Sequence, residues 1–108
     1  VEGIKFYGCP YSPLSRSSNS AFQLEKKDAV DIVMKIPTDT DVLITHANDS
    51  LIDEVVRKVQ PLIHARGHVH ADYGVRRNGA TLSINACSVD EYYRAVNPSV
   101  VVDIERKT

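Results

Sequence analysis

Apolar residues recur along this chain with two different periods, and the longer period marks two helices. Between Lys26 and Lys35 the apolar positions 30, 33 and 34 form a helix face, which Pro37 ends. A second amphipathic helix begins after Asn48-Asp49-Ser50, whose residue types favour helix N-caps, and is closed by Pro61. Its apolar face comprises Ile52, Val55, Val56 and Val59.

Short β-rich runs predict the strands between and after these helices. The runs are Gly3–Gly8, Asp41–Thr45, Leu62–Ala65 and Val100–Ile104. Tyr73–Arg77 and Ala80–Ala86 flank Asn78-Gly79, which predicts a hairpin with positive φ at both central residues. Residues 9–19 hold two prolines and four serines and are typical of an irregular loop. The order of elements predicts an α/β fold with a mixed sheet and helices on its outer face.

Composition restricts the class of protein without assigning a function. The chain has 108 residues, enough for about one small domain, with 43% hydrophobic and 25% charged residues. A net charge of −1 gives no basic surface for a nucleic-acid duplex, and no apolar run is long enough to span a bilayer. Cys9 and Cys87 lack zinc or redox spacing, so we expect reduced thiols in a cytoplasmic protein. The first residue is Val1, which suggests a fragment, a processed chain or an incomplete sequence.

All four histidines lie between His46 and His70, around the ends of two predicted strands. His46 directly follows a buried strand, and Gly67-His68-Val69-His70 follows the next one. Functional groups in open α/β sheets gather beyond the carboxyl ends of strands, so His46, His68 and His70 are candidate ligands for Zn, Fe, Ni or Mn.

Structural roles are an alternative for each candidate. His-x-His alone is weak evidence for a metal site, and His64, inside a strand, is expected to hydrogen-bond within the sheet. Four carboxylates near the loops are expected to be caps, turn residues or solvated charges: Asp39, Asp41, Asp49 and Asp72. Four tyrosines could line a base-binding pocket, although core or edge packing is expected for each: Tyr11, Tyr73, Tyr92 and Tyr93.

Several ordered segments resemble one enzyme superfamily. Gly67-His68-Val69-His70 matches the Gly-His-x-His motif of calcineurin-like metallophosphoesterases, and Thr45-His46 resembles their preceding single-histidine motif. The likeness extends to the metallophosphoesterase-domain proteins related to cyclic-nucleotide phosphodiesterases. It is carried by GIKFYGCPYSP, NSAFQL, IPTDTDVLITHA, GHVHADYG, INACS and an Asn-Pro before an apolar strand, which together cover almost the whole chain.

The resemblance implies a fold and a metal site. Residues 1–108 would form the C-terminal part of a single metallophosphoesterase domain, half of a two-sheet αββα sandwich with helices outside. His46 and His68 would share one divalent ion and His70 would bind the other, with Mn, Fe or Zn as the metals. A hydroxide bridging the two ions would attack a phosphodiester, possibly of a nucleotide. His64 matches a recurring family position that is not a ligand.

Two departures from the family pattern limit these expectations. The Asp-x-His, Gly-Asp and Gly-Asn-His motifs, which supply the bridging carboxylate and the leaving-group acid, are absent from this sequence. We therefore expect no catalytic acid in this chain and no activity without an N-terminal half. The segment after His46 also departs from the family pattern of small residues, prolines and a longer loop, since Ala47-Asn48-Asp49-Ser50 leads straight into the helix. Either this loop is truly short or residues are missing from this sequence.

Three other functions compete with the phosphoesterase interpretation. The chain could be a degenerate phosphoesterase half that acts as a scaffold or ligand-binding module. Cupin-like metal barrels also use His-x-His, but the two helices and the buried strand before His46 disfavour an all-β barrel. Amidohydrolase barrels use the same motif and need about 200 residues or more.

Overall fold

The computed structural model describes residues 3–13, 23–24, 26–46, 49–67, 72–88, 90 and 92–104. Within them, the strands are β1 (Phe6–Cys9), β2 (Ser12–Pro13), β3 (Gln23–Leu24), β4 (Val42–Thr45), β5 (Ile63–Arg66), β6 (Gly74–Asn78) and β7 (Thr81–Asn85). The helices are α1 (Lys26–Val33) and α2 (Ser50–Val59). No helix in the described ranges is long and apolar enough to cross a bilayer.

A five-stranded mixed sheet organises the molecule, as the sequence predicts. Its strand order is β1-β4-β5-β7-β6, with the first four strands parallel and β6 antiparallel to β7. β2 and β3 form a separate parallel ladder of two residue pairs. The α/β class and the mixed sheet are therefore confirmed, and the architecture is consistent with part of an α/β sandwich.

The two helices cover one face of this sheet, and their buried residues form the larger core. Side chains alternate between the faces along each strand, so Leu43 points to the helices while its neighbours Val42 and Ile44 point away. Leu43 is fully buried against Val33 of α1 and Ile52 of α2 in one hydrophobic cluster. Both predicted helices thus pack as amphipathic elements.

Helix α1 differs in detail from its prediction. Met34, expected on the buried face, is 42% exposed, whereas Ala29, Val33 and Ile36 are buried. Ala29 and Val33 lie four residues apart and set the buried face, whereas Met34 lies about 100° from Val33 around the helix, with its N–H still bonded to the Val30 carbonyl at 2.9 Å. After Val33 the chain tightens, since the Ile36 N–H donates to the Val33 carbonyl at 3.2 Å, and this three-residue spacing brings Ile36 into the core.

Helix α2 begins at the predicted cap. Asp49 Oδ1 accepts a hydrogen bond from the Ile52 N–H at 2.9 Å, and Oδ2 accepts one from the buried Tyr11 hydroxyl at 2.6 Å. Burial, together with the adjacent Asp49 carboxylate, raises the pKa of Tyr11 above its usual range. At the other end Gln60 adopts a left-handed conformation with φ 53° and ends the helix. A single carboxylate therefore caps α2 and fixes Tyr11.

Replacing Asp49 with alanine should lower the free energy of unfolding by about 2 kcal/mol, because it removes both a cap and the partner of a buried hydroxyl. Tyr11→Phe removes only the second interaction and should cost about 1 kcal/mol. Urea denaturation of the two variants measures the difference. Equal losses in the free energy of unfolding would mean that the hydrogen bond between Asp49 and the Ile52 N–H does not stabilise the fold.

The hairpin of β6 and β7 is confirmed, although its turn lies one residue further on than predicted. Asn78 pairs with Thr81, so the two loop residues are Gly79 and Ala80. Of these, Gly79 has a positive φ of 63° and Ala80 does not. Positive φ at the first central position is the pattern of a type II′ turn, which places glycine there.

The second face of the sheet is apolar and only partly covered. Val42, Ile63 and Ile84 are buried there against Val100, Val102 and Ile104 of the C-terminal segment. The prediction of a last strand over Val100–Ile104 is wrong: these residues form no strand, and alternate side chains pack on the face of the sheet. Beyond this cover, Phe6 and Ile44 remain 53% and 47% exposed.

Candidate metal-binding edge

The carboxyl ends of the four parallel strands form one edge of the sheet, and the sequence motifs of interest follow them. The register pairs Cys9 with Thr45 and Arg66 with Asn85, so β1 and β4, like β5 and β7, end level with each other. His46 is the residue after β4, and Gly67 is the residue after β5. We call this line of strand ends the carboxyl edge.

A backbone hydrogen bond joins the two strand ends that carry histidine motifs. The Gly67 N–H donates to the His46 carbonyl at 3.0 Å. Gly67 also lies close to Cys87, since a Cβ atom at position 67 would be 3.6 Å from Cys87 Sγ. The first residue of the Gly-His-x-His motif therefore lies directly beside His46 and the residues that follow β7.

His46 is exposed and borders an open concavity at the carboxyl edge. The concavity has a volume of about 470 Å³ and is lined by Gly8, Cys9, Pro10, Ile44, Thr45 and His46. His68 and His70, the other two candidate ligands, lie outside the described residues. Within the described ranges, no three His, Cys, Asp or Glu side chains come close enough to hold a metal ion.

His64 has the structural role expected from the sequence. Its side chain is 2% exposed, and Nε2 lies 2.9 Å from the Thr45 hydroxyl oxygen in a buried hydrogen bond between β5 and β4. Burial, assisted by the positive charge of Arg66 and opposed by Asp53, lowers the pKa of His64 from 6.5 to about 4. A neutral imidazole thus links the two strands that end at the carboxyl edge.

The candidate carboxylates have the structural partners expected of caps and surface charges. Asp39 pairs with Lys5 at the surface, Asp41 accepts a hydrogen bond from the Lys5 N–H at 3.0 Å, and Asp49 caps α2. Asp72 contacts two arginines: Arg66 Nη2 lies 3.2 Å from Oδ2, and Arg76 Nη2 lies 2.7 Å from Oδ1. The pKa of Asp72 lies below its ordinary value, chiefly because Arg66 donates a hydrogen bond to the carboxylate.

The tyrosines divide into packed and exposed residues. Tyr11 is buried, and the Tyr73 hydroxyl donates to the Pro98 carbonyl at 2.6 Å. Packing is the wrong expectation for Tyr92 and Tyr93, which are 71% and 78% exposed. They lie on a turn in which the Asp90 carboxylate accepts from the Tyr92 and Arg94 backbone N–H groups, and the Arg94 guanidinium carbon lies 5.2 Å from the centre of the Tyr92 ring. Backbone bonds and this cation–π contact hold the segment while both rings remain exposed.

Cys9 and Cys87 are both free and buried.

Arg66 was not singled out by the sequence analysis, although it immediately precedes the Gly-His-x-His motif. Its side chain is 12% exposed, and its buried Nε has no hydrogen-bond partner among the described residues. A charged residue in the predicted transition from a buried strand to the histidine motif is the signal that could have drawn attention to it.

Comparison with known proteins identifies relatives that match nearly the whole chain. Human metallophosphoesterase domain-containing protein 1 is 32% identical over 122 residues, covering 96% of this chain and 37% of the relative. Two UPF0046 proteins of Caenorhabditis elegans are 32% and 30% identical and cover 94% and 100% of the chain. No family model matches the chain.

The chain corresponds to only part of each of these relatives. The chain spans less than half of the length of each of these relatives: 37%, 30% and 41%. The human alignment covers 122 positions, more than the 108 residues present here, so some residues of that relative within the matched region have no counterpart in this sequence. Sequence identity of this level over nearly the whole chain establishes homology. This chain therefore belongs to the metallophosphoesterase family.

Proposed function

We propose that this chain contributes histidine ligands to a two-metal site, and that the complete protein hydrolyses phosphodiesters. The hydrogen bond from the Gly67 N–H to the His46 carbonyl is the observation that carries the proposal. This bond places the two strand ends that bear the histidine motifs next to each other. Such proximity is necessary if histidines from both motifs bind the same ion. The family relationship supplies the phosphoester chemistry.

His46, the candidate ligand that lies in the described part of this edge, has the chemistry to bind a divalent ion. Imidazole nitrogen suits Mn, Fe and Zn, and exposed His46 borders a concavity large enough for ions and a phosphoester group. In the proposed arrangement, His46 and His68 bind one ion and His70 binds the second. When bound, the ions would act as Lewis acids toward the phosphoryl oxygens and supply a nucleophile from water at neutral pH.

The four candidate carboxylates are not assigned as a bridge between two ions, because Asp39, Asp41, Asp49 and Asp72 have the other partners described above. Imidazoles alone hold two divalent ions poorly, since a carboxylate is needed to balance their charge. We therefore propose that the bridging carboxylate and the leaving-group acid come from residues outside this sequence. The length of the relatives leaves room for them.

Phosphodiester hydrolysis by the complete protein in the presence of Mn²⁺ tests this proposal. His68→Ala should lower kcat/KM for a chromogenic phosphodiester at least about 10²-fold, because charge stabilisation in the transition state is lost. The same variant should weaken Mn²⁺ binding, measured by the electron paramagnetic resonance signal of free Mn²⁺. His64→Gln is the matched control and should change both quantities less than about 3-fold, because His64 only links strands.

A degenerate, non-catalytic module remains the alternative outcome. If the complete protein binds Mn²⁺ through His68 but hydrolyses neither phosphodiesters nor phosphomonoesters, it is a metal-binding scaffold of this family. If His68→Ala leaves both Mn²⁺ binding and hydrolysis unchanged, the assignment of the histidine ligands is wrong.

A further inference from the structure

Two oppositely charged side chains stand on either side of the Gly-His-x-His motif. Arg66 is the last residue of β5, Asp72 follows Ala71, and the intervening residues include both His68 and His70. Arg66 Nη2 lies 3.2 Å from Asp72 Oδ2. The ion pair therefore joins the residue before the motif to a residue shortly after it.

We propose that the Arg66–Asp72 ion pair is a clamp that positions His68 and His70 for metal binding. The inference rests on the proposed function, because it concerns the geometry of those ligands. It makes Arg66 and Asp72 positioning residues, which act through the histidines and touch neither ion nor substrate. The clamp is defined as these two side chains, and Arg76 is an outer partner of Asp72.

The bonding of Asp72 distinguishes a positioning role from a ligand role. Each of its oxygens already has an arginine: Oδ2 contacts Arg66 and Oδ1 contacts Arg76 at 2.7 Å. A carboxylate held by two guanidinium groups is a poor ligand, because it would have to break a charge-assisted hydrogen bond before binding a cation. Its remaining effect on the motif is mechanical, through the main chain.

The two partners of Asp72 differ in their exposure. The Arg66 side chain is 12% exposed, whereas that of Arg76 is 70% exposed. Salt and water screen the contact to Arg76 and leave the contact to Arg66 much less screened. The pair with Arg66 is therefore the one that can hold Asp72, and it gives the experiment an internal control.

Arg66 is also a poor choice for stability alone. Its Nε is buried and has no hydrogen-bond partner among the described residues, and an unpaired buried donor destabilises the folded state. An apolar side chain in the same position would avoid that cost. What the arginine adds at this position is its contact with Asp72.

The chain on both sides of the clamp is also fixed by other bonds. On the amino side, the Gly67 N–H donates to the His46 carbonyl at 3.0 Å. On the carboxyl side, the Tyr73 hydroxyl donates to the Pro98 carbonyl at 2.6 Å. The clamp therefore joins two points that the rest of the fold already positions.

Mn²⁺ affinity of the complete protein tests the clamp independently of catalysis. Arg66→Met and Asp72→Asn should each raise the Kd for Mn²⁺ about 10-fold or more, the range seen when residues that orient metal ligands are changed. Because both variants break one contact, the double variant should be no more than about 3-fold weaker than the worse single variant. Arg76→Met, which removes the exposed partner of the same carboxylate, should stay within about 3-fold of the unchanged protein.

Metal-free thermal unfolding and His68→Ala separate the possible failures. If Arg66→Met and Asp72→Asn lower the unfolding temperature but leave the Kd within about 2-fold, the pair only stabilises the fold and the clamp is refuted. If those two variants and His68→Ala all leave the Kd unchanged, the proposed function fails first. Should Arg66→Met not fold, isosteric Asp72→Asn decides alone, and an unchanged Kd in that variant overturns the clamp.

Discussion

Truncation of Leu43 to alanine should lower the free energy of unfolding by about 3 kcal/mol, the largest effect we expect from a single core substitution. Leu43 lies in the second strand of the sheet, is fully buried, and contacts the cluster formed by both helices. Loss of its side chain leaves a cavity between rigid elements that cannot collapse to fill it. Chemical denaturation of the complete protein measures this loss, by linear extrapolation of the free energy of unfolding to zero denaturant.

Ile44→Ala is the matched variant, since it removes a side chain of the same size from the next position of the same strand. Ile44 points to the opposite face and is 47% exposed in the described structure. If a second sheet of the complete protein covers this face, as the sandwich architecture implies, Ile44→Ala should cost about 2 kcal/mol. A cost below about 0.5 kcal/mol would show that the face is open and that the two-sheet expectation is wrong.

The helices and parallel strands could be predicted because their periods are strong and their ends are marked. In α2, Asp49 caps the first turn and the apolar spacing after it correctly places Ile52, Val55 and Val56 in the core, while Val59 is only partly buried and Leu51 joins the core. The apolar run before His46 becomes β4, in which every residue except Ile44 is buried. The candidate edge follows from these elements, since His46 and Gly67 are the residues after two adjacent strands.

Tertiary contacts account for the predictions that failed. Val100–Ile104 has the composition of a strand, yet its alternate side chains pack on the face of the sheet, and composition does not distinguish the two arrangements. Met34 is exposed because Ala29 and Val33 set the buried face of α1, and Met34 lies about 100° from Val33 around the helix. The contact between Arg66 and Asp72 depends on the path of the chain between β5 and β6, which sequence periodicity does not specify.

The metal ligands remain a prediction for a related reason. Backbone contacts bring the strand ends of His46 and Gly67 together, and this part of the site was deduced from strand order alone. His68 and His70 lie outside the described residues, and the motifs that would complete the site are absent from the sequence. The fold was therefore more predictable than the site, because a strand end is specified locally and a two-metal centre requires residues from several segments.

Acidification should destabilise the folded chain through His64. Burial lowers the pKa of this imidazole to about 4 in the folded protein, against an ordinary value of 6.5 in an unfolded chain. Between these values the unfolded state binds a proton that the folded state does not, so the free energy of unfolding falls as the pH drops. The contribution is present in full above about pH 7 and is lost by about pH 4, with a total of about 3 kcal/mol.

Comparison with His64→Gln isolates this contribution from the other titrating groups. Glutamine does not titrate and retains a polar group for the Thr45 hydroxyl, the partner of His64 at 2.9 Å. In metal-free buffer, the free energy of unfolding of the unchanged protein should therefore fall more steeply between pH 7 and 4 than that of the variant. The imidazole proton resonances of His64 should also show no titration above about pH 5. A midpoint near 6.5, or parallel pH profiles for the two proteins, would mean that water or a nearby carboxylate stabilises the charged imidazole and that β4 and β5 are not linked by a neutral histidine.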